Sequence, residues 1–127
     1  MNISINIDVP DLDAAVAFYR DAFGLVVKRR LGSVAVELGG WSSLVCLLLK
    51  PNGSIGAGKD RRRYDRHWTP VHFDVVVDDI AAALPCAVAA GARQETGIRS
   101  EVWGRIVSLS DPFGRVLHHQ VRRLRLR

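Results

Sequence analysis

Ile3-Ser4-Ile5-Asn6-Ile7-Asp8-Val9-Pro10-Asp11-Leu12 is answered 68 residues later by Val71-His72-Phe73-Asp74-Val75-Val76-Val77-Asp78-Asp79-Ile80. In the first stretch apolar and polar side chains alternate, which is the period of a half-buried strand. Pro10 breaks it, and Asp11 stands where a helix N-cap belongs. In the second stretch Val71, Phe73, Val75 and Val77 form the apolar set, and Asp79 takes the cap position. Working outward, each stretch leads into a helical face: Leu12, Val16, Tyr19 and Phe23 in the first, Ile80, Leu84 and Ala87 in the second. Gly24 and Gly91 sit where C-terminal glycines close such helices. Three strand-like runs follow each helix: Val26–Leu31, Val34–Leu38 and Ser43–Leu49, then Ala92–Thr96, Trp103–Leu109 and Val116–Val121. Gly39-Gly40 and Asp111-Pro112-Phe113-Gly114 supply turns.

The expected fold class is therefore α+β, built from two tandem βαβββ modules. A ferredoxin-like arrangement, βαββαβ, does not accommodate three consecutive strands after each helix. Module 1 spans about residues 1–50, a Gly-, Lys- and Arg-rich linker 51–66, module 2 about 67–121 and a basic tail 122–127, all within one domain of 127 residues.

Composition is that of a globular chain with 48% hydrophobic residues, and its longest apolar stretch, Leu44–Leu49, is far short of a membrane span. The start shows no secretory signal pattern. Cys46 and Cys86 are isolated and read as buried apolar residues in a reducing cytoplasm. The net charge of +5 is local. It comes from Arg61, Arg62, Arg63 and Arg66, and from Arg122, Arg123, Arg125 and Arg127; without these eight, acidic residues outnumber basic ones. A nucleic-acid partner is not expected. No Gly-x-Ser-x-Gly elbow, phosphate loop or dinucleotide fingerprint is present, and Gly53–Gly58 lacks a lysine-serine ending.

The order of these motifs carries a resemblance. Val9-Pro10-Asp11-Leu12, Phe18-Tyr19, Arg66-His67-Trp68-Thr69-Pro70-Val71-His72 and Trp103-Gly104-Arg105…Asp111-Pro112-Phe113-Gly114 together resemble the vicinal oxygen chelate superfamily over residues 3–121. That superfamily includes glyoxalase I, bleomycin-resistance proteins and extradiol dioxygenases. The resemblance implies sheets curled into cups, a small organic substrate or ligand inside, often a divalent metal, and a homodimer. It also implies metal ligands on the first and last strand of each module. His72 matches such a position, and His118 falls where relatives commonly carry Glu. Ser4 replaces the ligand expected on the first strand, and Ser43–Leu49 offers no His, Asp or Glu.

Strand parity gives the same pair from the residues themselves. His72, Asp74 and Val76 fall on the face opposite the helix, and so do Val116, His118 and Gln120 if the more apolar set of the last strand packs inward. His72 and His118 are thus the candidate ligand-binding residues and the candidate metal ligands. Glu37 could add a carboxylate from strand three. Trp41, Trp103 and Phe113, near turns, are candidates for stacking a ligand at a rim, although aromatics there more often pack in the core. His67 and His119 read as structural or surface residues. With module 1 short of ligands, a binding protein without a complete metal site is the expected function. A metal-dependent lyase, isomerase or dioxygenase is the alternative.

Overall fold

The computed structural model describes residues 1–122. The chain divides into two compact units, Met1–Asp65 and Arg66 onward.

In the first unit, β1 (Ser4–Val9) leads into α1 (Leu12–Phe23), followed by β2 (Val26–Leu31), β3 (Ala35–Gly39) and β4 (Leu44–Leu49). The sheet order is β1-β4-β3-β2, with β1 parallel to β4 and the other pairs antiparallel. The Asp11 side chain accepts from the Ala14 N–H at 3.0 Å, which satisfies one orphan donor of α1. Gly24 ends the helix at φ 71°, a left-handed conformation that glycine adopts without a Cβ penalty. Val16 and Tyr19 pack inward as expected, together with Ala15, Phe18 and Ala22. They meet Ile7, Val9, Val36, Leu38, Val45 and Leu47, the helix-facing set of the sheet. Edge strand β2 is exposed along its length.

The 51–66 segment, a linker by composition, carries a short hairpin, β5 (Ile55–Ala57) with β6 (Asp60–Arg61). Arg62 ties it to the first sheet through Asp8 at 2.8 Å.

In the second unit, β7 (Asp74–Val76) precedes α2 (Ile80–Ala90), then β8 (Arg93–Gln94), β9 (Arg99–Glu101), β10 (Gly104–Ser110) and β11 (Val116–Arg122). The order β7-β11-β10-β8 repeats the first sheet, with β9 also paired to β10. Asp79 caps α2 through the Ala81 N–H at 2.9 Å, and Gly91 closes it. The topology is the tandem βαβββ arrangement expected from the repeat.

Three details differ from the sequence reading. The Ala92–Thr96 run shortens to β8 alone, and an additional short strand, β9, follows at Arg99–Glu101. The Thr96 hydroxyl accepts the Ser108 N–H at 3.1 Å and donates to the Gly97 carbonyl at 3.0 Å, so a side chain takes a ladder position. The strand expected over Val71–Val77 begins only at Asp74, because the Thr69 hydroxyl claims the Val71 carbonyl at 2.8 Å and Val71 is exposed. Cys86 is exposed on α2 rather than buried, and Cys46 is half-buried; both are free thiols. No helix among the described residues is long and apolar enough to cross a membrane.

Gly104 fixes a close approach. Its φ is +155°, and a Cβ there would collide with the Val121 carbonyl of the neighbouring strand.

Candidate functional site

The open face of the second sheet gathers the titratable groups. The parallel register of β7 and β11 sets Asp74 beside His118. His118 Nδ1 lies 2.7 Å from Asp74 Oδ1. An ionised carboxylate only accepts, so the imidazole donates here. The other carboxylate oxygen accepts from Gln120 Nε2 at 2.7 Å. His72, just before β7, places its ring 5.1 Å from that of His118 in an edge-on arrangement. Its Nε2 is 3.9 Å from Asp74 Oδ1, beyond hydrogen-bond range. Trp68 also neighbours His72, with ring centroids 5.1 Å apart and planes tilted by 45°. The His72 ring is thus in contact range of both the Trp68 and the His118 rings. His72 and Asp74 keep 33% and 28% of their side-chain surface exposed and His118 keeps 14%, so the cluster can be reached from solvent.

His119, the neighbour of His118, points the opposite way. Strand alternation sends it to the helix side with Leu117, and only 1% of its surface is exposed. Burial pushes its imidazole below the ordinary histidine range, which favours the neutral ring.

The remaining sequence candidates lie elsewhere. Glu37 belongs to the first unit, where it accepts from Arg29 Nη2 at 2.8 Å. Trp41 packs edge-on against Phe23, with centroids 5.4 Å apart, as part of an aromatic cluster with Tyr19. Trp103 is 44% exposed in the turn before β10. Phe113 is buried in the Asp111–Gly114 turn, where its N–H donates to Asp111 Oδ1 at 2.9 Å. Asp74 and Trp68 were not among the sequence candidates. Asp74 shares His72's parity at i+2, so the signal was present; Trp68 lies in a coil stretch with no period to place it.

The arginine clusters are partly consumed in structure. Arg62 pairs with Asp8, and Arg66 pairs with Glu95 at 2.6 Å, holding that carboxyl below its usual range. Arg122 closes β11 rather than starting a tail. Arg123, Arg125 and Arg127 lie outside the described residues.

A family model described as "Glyoxalase-like domain" matches residues 4–118. The chain belongs to this glyoxalase-like family. Solved structures of other proteins share its fold. The fosfomycin resistance protein FosX from Listeria monocytogenes aligns with TM-score 0.74 at 16% identity, over 98% of this chain and 94% of that one. TioX from Micromonospora sp. ML1 aligns with TM-score 0.74 at 17% identity, over 97% and 99%. A lactoylglutathione lyase from Agrobacterium tumefaciens aligns with TM-score 0.66 at 22% identity, over 95% and 92%. At these identities the likeness concerns the fold. No curated protein matches the chain.

The glyoxalase-like fold raises the question of a divalent metal. His72, Asp74 and His118 each bring a donor atom within 4.8 Å of the others, and two imidazoles with a carboxylate are a usable first-row set. Their hydrogen bonds argue against all three binding one ion directly. Both Asp74 oxygens are engaged, and His118 already uses Nδ1 on Asp74. Two imidazoles remain, one fewer than the three protein ligands usual in a catalytic site. Pairing registers identify what the first unit carries at the same places. Asn6 lies opposite Cys46, and Cys46 opposite Glu37. In the second unit Asp74 lies opposite His118, and His118 opposite Ser108. Cys46 therefore stands at the position of His118. Burial, followed by the Glu37 charge, raises its thiol pKa and keeps it protonated. Among the described residues the two imidazoles, with Asp74 committed to hydrogen bonds, fall one ligand short of the usual three.

Proposed function

We propose that the chain binds a small organic ligand on the open face of its second sheet, with His72 and His118 as the polar contacts and Trp68 as an apolar flank. The observation that carries this reading is the convergence of the two imidazoles, 5.1 Å apart, beside one part-buried carboxylate. A partly solvent-accessible row of rings with a few aimed polar groups is what small-molecule sites are made of. The contact is through hydrogen bonds and stacking rather than through a bound ion.

The test is chemical-shift mapping of the ¹⁵N-labelled chain against a panel of small aromatic and polar compounds. Compounds that perturb His72, Asp74 and His118 together, and that bind at least about tenfold more weakly to His118→Ala, are expected; tenfold corresponds to about 1.4 kcal/mol, the scale of one hydrogen bond to a charged or aligned group. Hits that map elsewhere and leave the histidines silent contradict the proposal.

A metal-assisted lyase, isomerase or dioxygenase is the second reading. The three donors within 4.8 Å favour it. It requires Asp74 to join the two imidazoles as a third ligand.

A further inference from the structure

Behind the histidine pair runs a hydrogen-bond chain whose direction is fixed at both ends. His118, Gln120 and Arg122 alternate along β11 and so share one face of the strand. Arg122 Nε donates to Gln120 Oε1 at 2.6 Å. Gln120 Nε2 donates to Asp74 Oδ2 at 2.7 Å, and Asp74 Oδ1 lies 2.7 Å from His118 Nδ1. A guanidinium has only donors, so the amide oxygen of Gln120 must face it. The amide NH₂ must then face Asp74, whose carboxylate has only lone pairs to offer. Its second oxygen therefore needs a proton from His118. Gln120 is 6% exposed, and a buried amide is costly unless both of its ends are satisfied. Here both are.

We infer that Arg122, Gln120 and Asp74 act as positioning residues that hold neutral His118 in its Nδ1–H tautomer and leave Nε2 as a hydrogen-bond acceptor for the ligand. The two ring nitrogens diverge, so Nε2 is turned away from Asp74. The ligand class follows: a small molecule that presents a donor to the pair, a hydroxyl, phenol or N–H. This class rests on the binding reading given above; the tautomer does not.

The experiment is long-range ¹H–¹⁵N correlation spectroscopy on histidine-labelled protein, above the pH at which the rings protonate. His118 is expected to show a protonated Nδ1 and an unprotonated Nε2. The reverse pattern, or fast averaging between the two, overturns the inference. Asp74→Asn should shift His118 toward the Nε2–H form that free side chains prefer. Adding Arg122→Glu to Asp74→Asn turns the Gln120 amide and the new amide at position 74 around, and should restore the Nδ1–H form of His118. A tautomer unchanged from the parent in either folded variant overturns the role of the residue substituted. Titration with phenol should move the His118 Nε2 resonance, and anisole, which lacks the donor, should not. Equal effects of both overturn the ligand class. No effect of either, with the tautomer as expected, overturns the binding reading and leaves the chain standing.

Discussion

Two adjacent histidines on β11 do opposite things because a strand alternates its faces. His119 is buried on the helix side with its pKa lowered by desolvation. Its folded-state pKa lies below the unfolded value of about 6.5, so the unfolded chain binds the extra proton as pH falls. The stability from the neutral ring is present above about pH 6.5 and is lost as pH falls through that value toward the folded pKa, with a slope of at most about 1.4 kcal/mol per pH unit. Denaturant unfolding at pH 7.5 and 5.0 should show wild type losing more stability on acidification than His119→Leu. Equal losses would contradict burial of a neutral ring. Sequence parity put His72 and His118 on one face only once the more apolar set of the last strand was turned inward, because period-two alternation is a local property and both faces of that strand carry a histidine. What parity could not supply was Asp74's role, since a carboxylate on an open face reads as solvated until the neighbouring strand brings His118 to it.

The strands repeat with few surprises where apolar alternation is strong, in β1, β3 and β10, and where a short apolar run is unbroken, in β4. They depart from the reading where side-chain hydrogen bonds compete with the ladder, at Thr69 and Thr96. Such competition has no periodic signature. Gly104 is a sharper element-level constraint. Gly104→Ala must move β10 away from the Val121 carbonyl and strain a φ of +155°, which should cost roughly 2 kcal/mol or more. A thermal melt within a degree or two of wild type would contradict the close approach. The hairpin at 55–61 hangs on a part-exposed ion pair, Arg62 with Asp8. Arg62→Ala should cost no more than about 1 kcal/mol globally while speeding amide exchange over residues 53–61. Unaltered exchange there would show that the pair is not what holds the hairpin.

At the scale of the molecule, membership of the glyoxalase-like family accounts for the doubled topology, while the residues of the open faces decide what this member does with it. Each sheet, taken by itself, ends on strand edges, β1 and β2 in the first unit. Edges of this kind invite pairing, and closed two-fold symmetry is its commonest form. Light scattering at micromolar concentration should therefore give a dimer mass, and a monomer mass would contradict that proposal. The central claim is that His72 and His118 contact an organic ligand without a complete metal centre. Its most direct test is elemental analysis of the untagged protein after dialysis against a chelator, with His72→Ala as control. The account predicts well below one first-row metal ion per chain in both proteins. One ion per chain in wild type that is lost in His72→Ala would contradict it.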